Sequence, residues 1–131
     1  MTRELFACRC GKCRGSLRPD GSYVDIPIDL TLVHELSLIA RCVPVIVLSG
    51  YRCQDYDRYC AKTERTTAHT RGEAADITTT ADMHKLFLLC CSCSKFSVVI
   101  KHQHYIHVSV EHRKVRFIHD VEEETTTTGV N

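Results

Sequence analysis

The chain has 131 residues, 44% hydrophobic and 25% charged, with a formal net charge of +1, which fits one globular domain and leaves no room for a second core. Near-neutrality without a basic stripe interleaved with aromatics excludes the electrostatic footprint of a nucleic-acid binder. The longest apolar runs, Val43 to Leu48 and Leu86 to Cys91, fall far short of the roughly 20 residues that span a bilayer, so a membrane is not an expected partner either.

At the N-terminus, Arg9, Lys12 and Arg14 come after Met1 too soon for an apolar signal region, and export by a classical leader is not expected. Nine cysteines is a rich supply. The number is odd and no leader accompanies it, which makes reduced thiols the default. Cys8-x-Cys10-x-x-Cys13 is a tight cluster. Thiolates two and three residues apart can share one structural metal ion, with Cys53 or Cys60 as the fourth ligand. The alternative is a turn whose thiols pack on the core as weakly polar hydrophobes.

Gly15 to Tyr23 gathers Gly, Ser, Pro and Asp and reads as a loop. Asp29 can cap a helix running to about Arg41, with Val33, Leu36, Ile39 and Ala40 on one face. Val45 to Leu48 is β-branched and continuous after Pro44, as expected of a buried strand that carries Ser49 to Arg52 at its end. Gln54 to Thr63 predicts a short helix, and Glu64 to His69 an exposed approach to the next strand. After that strand, through Ala74 to Ile77, Thr78, Thr79 and Thr80 offer a cap. Met83, Leu86, Phe87 and Cys90 then repeat at helical spacing. Cys90, Cys91 and Cys93 fall at the end of that pattern and read as buried thiols.

Phe96 to Ile100 and Tyr105 to Val110 predict an antiparallel pair joined by the polar stretch Lys101 to His104, with a last short strand from Val115 to Ile118. Residues 121–131 hold three acidic residues and four threonines with little to bury; they read as a flexible tail behind one domain over residues 1–120.

Chemistry concentrates in His69-Thr70-Arg71-Gly72-Glu73-Ala74-Ala75-Asp76 and in Tyr105-Ile106-His107-Val108-Ser109-Val110. Two imidazoles and a carboxylate are what a catalytic zinc ion takes from a protein, with the fourth position left to water. Strand alternation turns Asp76 away from Ala75 and Ile77. The same alternation turns His107 away from Ile106, Val108 and Val110, so it is not core filler. Gly72 can take positive φ and let His69 swing back over Asp76.

The pattern His69-x-x-Gly72-x-Ala74-x-Asp76 resembles the zinc motif of the D-alanyl-D-alanine carboxypeptidase family, and Ser49-Gly50-Tyr51-Arg52 resembles that family's Ser-Gly-Tyr-Arg segment. Phe6-Ala7-Cys8-Arg9-Cys10-Gly11-Lys12-Cys13 resembles the start of small phage and viral members. The likeness covers roughly Phe6 to Val115. It implies an α+β, hedgehog/DD-peptidase-like fold: a central antiparallel sheet with helices packed on one side. It also implies a zinc ion (Zn2+) held by His69, Asp76 and His107, and an Arg52 that neutralises a developing oxyanion or holds substrate; the alternative for Arg52 is a surface ion pair with Asp55 or Asp57. The implied reaction is zinc-dependent hydrolysis of peptidoglycan peptides, as a D-Ala-D-Ala carboxypeptidase or an endolysin-type endopeptidase. The protein would act as a monomer, cytoplasmic in the producing cell and released to the wall on lysis.

The chain departs from the family at the general base. Many relatives place Glu or Asp three residues before the last ligand, where this chain has His104, and hedgehog domains place theirs six before, where it has Lys101. An imidazole of unperturbed pKa near 6.5 suits proton transfer at neutral pH, which makes His104 the candidate carrier and His102, further into the turn, a lesser one. The alternative for both is a solvated turn. Ser109 stands where many members have Asp, which weakens the support for His107. These departures keep open a second reading, a hedgehog-like zinc-binding module without turnover.

Overall fold

Asp29 opens the first helix, α1 (Leu30–Ile39), in a computed structural model that describes residues 1–122. Its carboxylate accepts the backbone N–H groups of Thr31 and Leu32, two of the donors that a helix start leaves unpaired. Leu32, Leu36 and Ile39 are the buried residues of this helix, and Val33 packs beside them. The helix stops two residues before Arg41, with Ala40 as its cap.

Helix α2 (Gln54–Ala61) ends at Lys62, which takes φ 57°. Helix α3 (Met83–Ser92) is capped by Asp82, whose side chain accepts from His84 N–H, rather than by the threonines expected to do so. Thr78 is instead the last residue of a strand, and its hydroxyl donates to the His104 carbonyl. A four-residue 3-10 turn, Arg3–Phe6, precedes all of these and buries Phe6.

Five strands form one sheet: β1 (Ile46–Ser49), β2 (Ala74–Thr78), β3 (Val98–Lys101), β4 (Ile106–Ser109) and β5 (Phe117–Asp120), in the order β1-β2-β4-β3-β5. The first four pair antiparallel. The fifth runs parallel to β3 and starts two residues later than expected, so the sheet is mixed. β1 is an edge strand and not an interior one: Ile46 and Leu48 remain 42% and 46% exposed, because one neighbour and one covered face shield only alternate residues. The α+β arrangement is that of a hedgehog/DD-peptidase-like fold.

Register decides which face carries chemistry. Ala75 lies opposite Val108 and Ile77 opposite Ile106; these four and Val99 are buried in one cluster with Leu32, Leu36 and Ile39 of α1 and Leu86, Phe87 and Cys90 of α3. Each such large side chain, fully buried, contributes roughly 1.5–3 kcal/mol. Helices α1 and α3 therefore cover one face, as expected, whereas α2 gives no residue to this core. Asp76 and His107, paired across β2 and β4, are left to the other face.

No helix among the described residues is long and apolar enough to cross a membrane. Of the expected tail, residues 123–131 lie outside the described residues.

Gly72 has φ 72°, its carbonyl accepts Asp29 N–H at 2.8 Å, and a Cβ there would meet the Pro27 carbonyl oxygen at 1.7 Å. Gly72→Ala is expected to lower the unfolding free energy by about 2–4 kcal/mol, the strained backbone and the overpacking together. Gly21 shares the positive φ (85°) with nothing within 4 Å, so Gly21→Ala should cost about 1 kcal/mol. Urea unfolding with an unchanged m-value measures both.

Candidate functional site

Neighbouring strands place Asp76 and His107 directly opposite one another, and the turn closed by Gly72 brings His69 onto the same spot. His107 Nδ1 lies 3.0 Å and His69 Nε2 3.4 Å from Asp76 Oδ1, with the two rings edge to face at 5.2 Å between centroids. One ligand atom from each of the three falls within 4.8 Å of the others. In the approach to His69, Glu64, Arg65 and Thr66 are exposed as expected, whereas Ala68 and His69 are buried, 7% and 4% accessible.

The Ser49–Arg52 segment holds this trio from behind. The Gly50 carbonyl sits 2.8 Å from His69 Nδ1; a carbonyl only accepts, so Nδ1 carries the proton and donates. His69 Nε2 then presents a lone pair to the carboxylate oxygen at 3.4 Å. Two acceptors at that separation repel unless a proton or a cation lies between them. Zinc bonds to imidazole and carboxylate of about 2.0–2.2 Å in a tetrahedron put ligand atoms about 3.3 Å apart, which matches the observed 3.0 and 3.4 Å. The donor set and its spacing fit a zinc ion.

Arg52 supports the other oxygen of Asp76. Its Nη2 donates to Asp76 Oδ2 at 2.8 Å, its Nη1 to Asp57 Oδ1 at 3.2 Å and its Nε to Ser49 Oγ at 3.0 Å. The pair with Asp57 is not at the surface: the two side chains are 11% and 0% exposed, and Asp55 pairs with Arg58 instead. Thr67 continues the network, with its hydroxyl donating to Asp57 Oδ2 and accepting His69 N–H. Burial alone would raise the Asp76 carboxyl, but its contacts with the His107 and His69 rings outweigh it and hold its pKa well below the usual carboxylate range. It is ionised at neutral pH, as a metal ligand must be.

The bend between β3 and β4 separates the remaining candidates. His104 is exposed there, and its carbonyl is the group that Thr78 engages. His102 stacks on Tyr105 at 4.4 Å and 14°, and its backbone N–H donates to the Tyr105 carbonyl. Because Ile100 pairs with His107, alternation puts His102 and Tyr105 on the face of the trio. Burial lowers the His102 pKa while Asp76 pulls it up, and burial raises that of Tyr105.

Lys101 pairs with Ile106 and so faces the other way. Its ammonium meets Glu122 at 3.1 Å and Asp120 at 3.7 Å. Ser109 is fully buried and donates to Glu111 at 3.1 Å. Thr67 and Tyr105 are participants that no sequence spacing singled out, and Asp57 was expected only as a surface partner of Arg52. Tyr105 carried a signal in its parity with His107.

A family model described as peptidase M15 matches residues 1–109. No curated protein and no solved structure matches the chain.

The buried Arg52–Asp57 contact makes a stability prediction. Asp57→Ala is expected to cost about 3 kcal/mol, since it takes the buried acceptor away from both Arg52 and the Thr67 hydroxyl. Breaking the exposed Arg58–Asp55 pair, at 47% and 91% side-chain exposure, with Asp55→Ala should cost less than about 0.5 kcal/mol. Paired urea titrations distinguish the two.

Proposed function

The chain belongs to the peptidase M15 family, a family of zinc metallopeptidases, and on that premise we propose that this protein hydrolyses peptide bonds of bacterial cell-wall peptidoglycan, as a D-Ala-D-Ala carboxypeptidase or an endolysin-type endopeptidase. The observation that carries the reading is the convergence of His69, Asp76 and His107 on the sheet face opposite α1 and α3, with Arg52 behind them. His69 through Nε2, His107 through Nδ1 and Asp76 through Oδ1 would be the protein's zinc ligands. A zinc ion there supplies a Lewis acid for the scissile carbonyl and an acidified water as nucleophile.

The chain's own groups have definable tasks. Arg52 fixes Asp76 by its Oδ2 contact, leaving Oδ1 toward the imidazoles. A guanidinium has five N–H donors. Three are used on Ser49, Asp57 and Asp76, and the others suit a substrate carboxylate or a developing oxyanion. His104 fills the family's acidic slot, but its exposure gives it no anchor. We assign the proton-carrying step to His102, held by its stack on Tyr105 on the face of the trio. The protein acts as a monomer on the wall peptide, independently of nucleic acid or membrane. It stays cytoplasmic until lysis frees it, in the manner of small phage enzymes.

The second reading is a zinc-binding module without turnover. It is favoured by the loss of the family's acidic slot to His104 and of the hedgehog domains' slot to Lys101, whose ammonium is held by Glu122 and Asp120.

Purified peptidoglycan incubated with the zinc-loaded protein should release amino acid or peptide, and chelation should abolish that release. His69→Ala, Asp76→Ala and His107→Ala should each lose one equivalent of zinc by elemental analysis. Unchanged metal in all three would remove the site, and full metal with no turnover would establish the module.

His102→Ala is expected to lower kcat by on the order of 10² to 10⁴ with zinc retained, and His104→Ala by less than about tenfold. The reverse order would return the role to His104. Arg52→Lys should lose kcat more than KM, since the forked donor geometry is gone.

A further inference from the structure

Four thiols meet away from the His69–Asp76–His107 trio. Cys8, Cys10, Cys13 and Cys53 each bring a sulfur to within 4.8 Å of the other three. The sequence left the fourth position open between Cys53 and Cys60, and the fold decides it. Cys53 is the N-cap residue of α2 but makes no side-chain cap bond, and its sulfur lies 3.8 Å from that of Cys10. Cys60 is exposed near the far end of the same helix.

We propose that Cys8, Cys10, Cys13 and Cys53 bind a second, structural zinc ion as a tetrathiolate, tying the N-terminal segment to the segment that carries Arg52. Zinc–sulfur bonds of about 2.3 Å in a tetrahedron put sulfurs about 3.8 Å apart, the spacing found between Cys10 and Cys53. A disulfide needs sulfurs about 2.05 Å apart, and all nine cysteines are unpaired.

The backbone around the cluster is arranged for anionic sulfur. The Lys12 and Cys13 N–H groups both donate to Cys10 Sγ at 3.4 Å, and Cys53 N–H donates to Cys8 Sγ at 3.3 Å. Such donors hold metal-bound thiolates in place and stabilise their charge. Ser16, 4% exposed, donates to the Cys8 carbonyl at 2.8 Å and lies 3.4 and 3.5 Å from the sulfurs of Cys10 and Cys13. Zinc with four thiolates carries two net negative charges. Arg9 and Lys12 line the same open groove, of about 630 Å³, as Cys10, Cys13 and Cys53, and supply compensating cations. Loading releases the thiol protons to solvent and needs no oxidant.

The experiment uses the full chain and reads metal, not peptidase activity, so it stands or falls apart from the proposed reaction. Elemental analysis should give two zinc per chain. The cobalt-exchanged protein should show a thiolate-to-cobalt charge-transfer band in the near ultraviolet. His107→Ala should keep that band and one metal, Cys10→Ser and Cys13→Ser should lose the band, and Cys60→Ser should change neither. The wild-type spectrum guards against variants that do not fold. One zinc per chain that vanishes in His107→Ala, or a cobalt protein without the charge-transfer band, would overturn the proposal.

Discussion

Asp76 is the group on which the architecture turns. Its side chain is 13% exposed and both oxygens are engaged, one toward two imidazoles and the other by Arg52. A carboxylate so far removed from water is costly unless cations and donors surround it. That requirement explains why β2 must pair in register with β4, since a slip of one residue would leave Asp76 and His107 on opposite faces and turn one of them into the Leu32–Leu86 core. It explains the glycine after His69 as well, because no other residue clears Pro27 while returning the imidazole to the carboxylate.

The segment from Ser49 to Cys53 is the mechanical link between the two ligand clusters. Gly50 receives the His69 ring, Arg52 grips Asp76 and Asp57, Tyr51 N–H bonds to the Phe6 carbonyl, and Cys53 N–H bonds to Cys8 Sγ. Five consecutive residues thus carry the support of the trio at one end and a ligand of the thiol cluster at the other. Ser49 ends an edge strand with one ladder partner. Without the N-terminal segment on its free side, nothing in the sheet would fix Arg52 to the precision that a shared carboxylate requires.

Much of this was legible in the residues. Alternation in Ile106, His107 and Val108 assigned the faces of β4, and the repeat of Leu36 and Ile39 gave the buried side of α1, because both depend only on local geometry. The caps were half legible. Asp29 acts as read, whereas Asp82 displaced the threonines because β2 claimed Thr78. What could not be read was set by distant pairing. The apolar run of β1 looked like a central strand but lies at an edge, and β5 runs parallel to β3 where an antiparallel sheet was expected. Sequence also offered Asp55 and Asp57 as equal partners for Arg52. Only the packing of α2 against the site buries one and leaves the other in solvent.

A second metal ion answers a problem of composition. Between Arg9 and Asp25 the chain has no helix or strand, and Leu17 and Tyr23 are its only hydrophobic side chains packed on the core. Burial on that scale cannot order a loop of this length against its conformational entropy. Extracellular domains of similar poverty use disulfides, whereas all nine cysteines of this chain are unpaired. A zinc tetrathiolate needs the sulfurs reduced and closes the loop by the same topological logic as a covalent cross-link. The odd number of cysteines, which argued against a disulfide framework, is no obstacle here. Four thiols satisfy one ion, and Cys90, at 0% exposure, serves the hydrophobic core instead.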